Sequence, residues 1–329
     1  MIVTGEVSGP LNAQPIELSL LESDHVLQDT LNRLRSAGCK EEALGAFHAF
    51  AIEARKDRLP ITSEFRLSDA GYYEVTGLRG LARLAPPEFL TIFRTKSNVK
   101  AHSLTCFDVA LLVLRDGPVK ATHVRIGFEF KRFAFLAEGE RLGYSRLQSR
   151  IANPSDYAGA RHLLQPIVSY RRITGLGDRS QNEENLALCL RAPRILPGHY
   201  SNAEAPLNRL IEDRIELWKR DNLRFSERVQ IVLAQYIDMN GRFVSADHIA
   251  LALPMENGWM LIEKNGTMNP LIRINFPTLD LLADYMMSYF EEDAYDPFSP
   301  LHEAAFFVTL NEQILRVRPR QHRMSERGF

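Results

Sequence analysis

His248-Ile-Ala-Leu-Ala-Leu-Pro254, Met255-Glu-Asn-Gly258 and Trp259-Met-Leu-Ile-Glu-Lys264 follow one another without interruption. The outer runs are short and apolar, and the Asn-Gly pair between them is a strong local turn signal, so the spacing predicts a β-hairpin. Leu271-Ile-Arg-Ile-Asn-Phe276 reads as a third strand, and Thr278 to Phe290 as a helix behind it. A hairpin dictates which side chains meet across its strands. If the turn centres on Asn257-Gly258, Thr267 lies opposite His248, with Glu263 and Asn265 on the same face. If Pro254 pairs with Trp259, Asn265 is the direct partner and Glu263 the diagonal one. A bulge that shifts the pairing by one residue would put Lys264 or Gly266 there and remove the polar partner.

The segment that gives His248 chemical interest lies far upstream. Thr105-Cys-Phe-Asp-Val-Ala-Leu-Leu-Val-Leu-Arg-Asp-Gly117 opens on a hydroxyl residue, carries Asp108 in its first turn and ends on glycine. Those are helix start and stop signals, and the apolar run between them predicts a short, buried helix. Cys106 would then sit among unpaired N–H groups and aligned peptide dipoles, which favour a thiolate and can cradle an oxyanion. A thiolate nucleophile needs a proton-transfer partner, and a histidine on a hairpin strand is held rigidly enough to serve. A carboxylate or amide on the neighbouring strand would then orient the imidazole; Glu263 and Asn265 are the candidates.

Around these two segments the chain reads mainly as helix. Leu20 to Ala37 and Glu41 to Arg58 have amphipathic spacing, the second stopping before Leu59-Pro60. Short helices are expected at Asp69 to Glu74, Leu78 to Leu84 and Pro86 to Phe93, and longer ones at Ser155 to Arg171, Asn182 to Ala192, Leu207 to Lys219 and Ser226 to Ile237. Val119 to Phe130 reads as a strand. No repeat or low-complexity segment is evident. The expected class is α+β. The expected divisions are a mainly helical region over 1–95, a core over 96–314 with a helical insertion at about 131–240, and a basic flexible tail over 315–329.

Composition narrows the function. Forty Lys and Arg against 41 Asp and Glu leave a net charge of −1, so nothing draws the chain to nucleic acid, and nucleic-acid partners are not expected. The longest apolar runs, such as Val109 to Leu114, fall short of the ~20 residues of a membrane-spanning helix. Met1 to Pro10 lacks a basic region followed by an apolar one, so a cytoplasmic location is the default, with a clipped signal or a non-Sec export route left open. The three cysteines, Cys39, Cys106 and Cys189, form no Cys-x-x-Cys pair. Neither His162 nor His302 shows His-Glu-x-x-His spacing, and phosphate-binding loops and a Gly-x-Ser-x-Gly elbow are missing, so no metal or cofactor is expected. Cys39 and Cys189 read as structural.

The stretches 105–117 and 248–264 resemble papain-like bacterial cysteine hydrolases of the NlpC and transglutaminase-like kind. More narrowly, His248 to Leu253, Trp259 to Lys264, Pro270, Phe276 and Leu281-x-x-x-Tyr285-x-x-x-Tyr289 are similar to an uncharacterised bacterial lipoprotein family. That family has a His-bearing hairpin whose second strand ends in Glu-Lys. This chain has Thr105-Cys-Phe107 where the resemblance suggests Asn-Cys-Arg, and Ile249-Ala250 after the histidine in place of small residues. The resemblance implies a papain-like fold in which a Cys-bearing helix packs on an antiparallel sheet carrying the His. It puts Cys106, His248 and Glu263 at the triad positions, with Asn265 as the other orienter. An oxyanion donor upstream of the nucleophile is implied too; Asn98 and Thr105 are the candidates, with His102 and Ser103 beside them. Tyr72 and Tyr73 either line a cleft or pack.

Two functions of different class fit these residues. One is a thiol-dependent hydrolase or acyltransferase acting on an amide bond of a peptide, an isopeptide or a cell-wall stem peptide. The other is a catalytically inactive protein- or peptide-binding module on the same scaffold. The oligomeric state is not legible.

Overall fold

The computed structural model describes residues 15–55, 65–78, 81, 104–122, 174–190, 194–195, 207–237, 243–264, 271–288 and 305–318. Its centre is an antiparallel sheet. Strands β1 (Pro15–Ser19), β2 (Tyr73–Thr76), β6 (Gln230–Ile237), β7 (Phe243–Met255), β8 (Gly258–Lys264), β9 (Leu271–Phe276), β10 (Ala305–Leu310) and β11 (Gln313–Arg318) run in the order β11-β10-β6-β7-β8-β9-β1-β2. A two-residue strand, β4 (Arg194–Ile195), pairs with β7, and β3 (Lys120–Ala121) pairs with β5 (Leu223–Arg224) apart from the sheet.

Helices cover both faces. On one side lie α1 (Asp24–Ser36), α2 (Glu41–Ala54), α3 (Cys106–Val113), α4 (Gln181–Leu190) and α5 (Leu207–Arg220); on the other lies α6 (Leu279–Ser288). The eight residues of α3 are all buried. A helix this short does not hold in water alone. It is stabilised by packing on β7, β8, α2 and α4, and each fully buried Leu or Val contributes about 1.5–3 kcal/mol relative to exposure. No helix among the described residues is long and apolar enough to cross a membrane.

The α+β class, the hairpin, the third strand and the helix behind it match the sequence expectations, and two features differ. The run expected as a helix over Ser226 to Ile237 is strand β6 from Gln230 onward. A short apolar run fits either element. Here it is buried on both faces, Ile231 and Leu233 towards α3, Val232 and Ala234 towards α6, as a central strand between two helical layers requires. The expected helix over Asp69 to Glu74 is instead a bend leading into β2: Gly71 has φ +83° and a Cβ there would stand 2.7 Å from Cβ of Ser23. The hairpin turns at Glu256-Asn257, with Pro254 opposite Trp259 and Met255 opposite Gly258, which is the second of the two expected registers. Gly258 serves a close approach: at φ +136°, a Cβ would lie 2.2 Å from the Phe276 carbonyl oxygen.

The expected divisions shift accordingly. Segment 1–95 holds α1 and α2 and also supplies β1 and β2, which extend the sheet beyond β9. The expected insertion at 131–240 contains β6, in the middle of the sheet. The expected flexible tail begins as β11, whose Arg316 reaches back to Asp284 at 2.6 Å and Asp280 at 2.9 Å on α6. The helix expected over Ser155 to Arg171 lies outside the described residues, as does nearly all of those expected over Leu78 to Phe93.

Candidate active site

Thr105 starts α3 through a capping box. Its hydroxyl oxygen accepts from the Asp108 amide at 3.2 Å, while Oδ2 of Asp108 accepts from both the amide and the hydroxyl of Thr105 at 2.8 Å. The other carboxylate oxygen accepts from Nη2 of Arg179 at 3.0 Å, in a buried ion pair. Cys106 is thus the first residue of a helix whose start is locked from two sides. Thr105, a candidate oxyanion donor, directs both its N–H and its hydroxyl to Asp108, so it shapes the helix start and does not offer those donors to an acyl oxygen.

Arg179 was not among the candidates, although a signal stood next to it. Ser180-x-x-Glu183 is a second capping box, with the Ser180 amide 2.7 Å from the Glu183 carboxylate and the Glu183 amide 3.2 Å from the Ser180 hydroxyl. Glu183 in turn accepts from Arg115, just beyond the end of α3, at 2.8 Å. Each helix start is therefore clamped by an arginine from the other segment.

His248 arrives from β7, at a break in the strand's alternation. Ala234 of β6 pairs with His248 and Gln235 with Ala246, so β7 carries one extra residue, a β-bulge. Before it Ala246 faces the α3 side; after it the odd positions Ile249, Leu251 and Leu253 do. The bulge lies between β7 and β6, not in the hairpin, whose register pairs Pro254 with Trp259 and leaves Glu263 diagonal to His248. The His248 Nε2 is 2.8 Å from Oε2 of Glu263. The Cys106 thiol interacts with the same ring, through its charge and a side-chain hydrogen bond.

All three side chains are buried, Cys106 at 8%, His248 at 3% and Glu263 at 2% exposure. Burial by itself would lower the His248 pKa. The charge and hydrogen bond of Cys106, followed by those of Glu263, outweigh it and push the imidazole up to about 10. The protonated ring thereby has both a sulfur and a carboxylate as partners. Glu263 also accepts from the hydroxyl of Tyr285 on α6. The connected groups run through the sheet: Cys106 belongs to the cluster on one face and Tyr285 packs on the cluster of the other.

The remaining candidates sort by environment. Asn98 and Asn265 lie outside the described residues, as do His102, Ser103 and Thr267. Tyr72 packs on the α3-side cluster, 5.5 Å from the Arg273 guanidinium, and Tyr73 packs on the opposite cluster from β2, so both act in packing. Cys39 is buried, which pushes its thiol up to about 12. Cys189 is buried with its sulfur 3.9 Å from the Asp221 carboxylate. Among the described residues no group of three or more His, Cys, Asp or Glu side chains is placed to hold a metal. Two surface hollows of about 340 and 280 Å³, at Glu216 to Arg220 and between Lys120 and Asn185, are not lined by Cys106 or His248.

A thiol, an imidazole and a carboxylate in series can move a proton from sulfur to nitrogen while the carboxylate stabilises the imidazolium. Comparison of the chain with family models, with curated proteins and with solved structures returns no match.

Proposed function

We propose that the protein is a thiol-dependent hydrolase or acyltransferase with a papain-like core, acting on an amide bond of a peptide, an isopeptide or a cell-wall stem peptide. The observation that carries it is that His248 contacts Glu263 at 2.8 Å and interacts with the Cys106 thiol as well. Cys106 sulfur attacks the acyl carbon, and N–H groups in the first turn of α3 stabilise the oxyanion. The imidazolium of His248 gives its proton to the departing amine as the C–N bond breaks, leaving a thioester. His248 then takes a proton from water or an acceptor amine, which attacks the thioester and releases the thiolate. Glu263 holds the ring and its charge throughout.

The low exposure of Cys106 favours a second function, a binding module in which the thiol is packing. Brief treatment of the native protein with iodoacetamide, followed by peptide mapping, separates the two. The hydrolase requires Cys106 to be labelled while Cys39 and Cys189 are not; labelling of Cys106 only after unfolding would make it core and leave the binding role.

A further inference from the structure

Glu263 uses its two oxygens for two different partners: Oε2 faces Nε2 of His248, and Oε1 accepts from the Tyr285 hydroxyl. Tyr285 comes from α6, across the sheet from Cys106. Its ring lies 5.4 Å from that of Phe276 at the end of β9. Its helix is tied to the edge strand β11 by Arg316, through Asp280 and Asp284. The hydroxyl is therefore delivered by a braced element.

We propose that Tyr285 is a positioning residue of the site, whose hydroxyl holds the Glu263 carboxylate in one orientation, so that Oε2 faces the imidazole. This rests on the thiol–imidazole function given above. The physical ground is that a donor on one oxygen stops the carboxylate turning and so fixes the direction of the other. A buried carboxylate that loses a donor on one oxygen is free to turn, which withdraws Oε2 and its negative charge from His248. Among the described side chains, the titratable groups on the elements around the ring are Cys106 and Asp108 from α3, Glu263 and Lys264 from β8, and Tyr285 with Asp280 and Asp284 from α6. Asp108 is already paired with Arg179, and Asp280 and Asp284 with Arg316. From β6 the residue opposite His248 is Ala234, which carries no charge.

The test is the titration of His248, followed by NMR of protein labelled at the histidine ring carbon, in wild type, Tyr285→Phe, Tyr285→Leu, Glu263→Gln and the Tyr285→Phe/Glu263→Gln double variant. Tyr285→Phe is expected to lower the pH at which His248 loses its proton by about one unit. Tyr285→Leu should produce the same shift with a larger loss of thermal stability, because packing and donation are then separated. The double variant should titrate like Glu263→Gln alone. An unchanged titration in Tyr285→Phe, a shift that scales with lost stability, or additive shifts in the double variant would each overturn the proposal. Iodoacetamide labelling of the same samples distinguishes its failure from that of the underlying function. Wild-type Cys106 that labels no faster than Cys39 removes both, whereas fast labelling with an unmoved titration removes only the role of Tyr285.

Discussion

Cys106 and Cys189 are both buried on short helices of the same layer and belong to the same apolar cluster. They differ in what faces the sulfur. Cys106 occupies the first turn of α3 and meets an imidazole that is protonated over most of the pH range; Cys189 lies near the end of α4 and meets the carboxylate of Asp221. The backbone carbonyl of Cys189 also receives the Trp218 indole N–H at 3.1 Å, binding it into the core. Burial is thus no guide to which thiol can react. The neighbouring groups decide, because a cation and a helix start stabilise a thiolate away from water whereas a carboxylate opposes it.

That contrast can be broken first at His248. In a Cys39→Ser/Cys189→Ser background, His248→Ala is expected to slow iodoacetamide labelling of Cys106 by about 100-fold or more, the scale of a lost acid–base partner. Equal rates with and without the imidazole would place Cys106 in the same class as Cys189. Next in size is a titration. A free histidine loses its proton near pH ~6.5, but His248 is expected to keep it until the pH rises to about 10. Its ring resonance should therefore be that of imidazolium at pH 8; a neutral ring at that pH would show that burial wins over Cys106 and Glu263.

The helix start supplies a third, smaller effect. Arg179→Ala leaves the buried Asp108 without its cation and should cost about 3 kcal/mol in urea unfolding. It should also slow Cys106 labelling, because the capping box that orients the first turn is loosened; a cost under about 1 kcal/mol would mean that Asp108 is satisfied without it. Smallest is Cys189→Ala, which removes one sulfur from a packed site. About 1 kcal/mol of stability should be lost, with Cys106 labelling unchanged. Slower labelling there would show that the two thiols are coupled through the core.

Much of this site was legible before any coordinates. Thr105 and Asp108 announce a helix start, and so place Cys106 in a first turn, by local hydrogen-bond chemistry alone. The hairpin is legible for the same reason: two short apolar runs around an Asn-Gly pair have few other outcomes, and one of the two registers it allowed is the one that sets Glu263 diagonal to His248. Strand β6 was not legible, because eight apolar-rich residues do not say whether they will be covered on one side or two. Arg179 was missed, and Tyr285 was read only as part of a helix pattern, because their partners lie 71 and 22 residues away in sequence, at distances no periodicity encodes.

By itself the amino-acid sequence determined the elements that depend on near neighbours: the capped helix bearing Cys106, the hairpin bearing His248 and Glu263, and the α+β class that follows from having both. Tertiary structure alone decided that these elements meet. It took the extra residue in β7 opposite β6 to change the strand's phase at His248, and two helical layers to bring Cys106 to one side of the sheet and Tyr285 to the other. Turns and caps are set by bonds spanning a few residues, whereas a bulge between strands and a contact across a sheet depend on how the whole core closes.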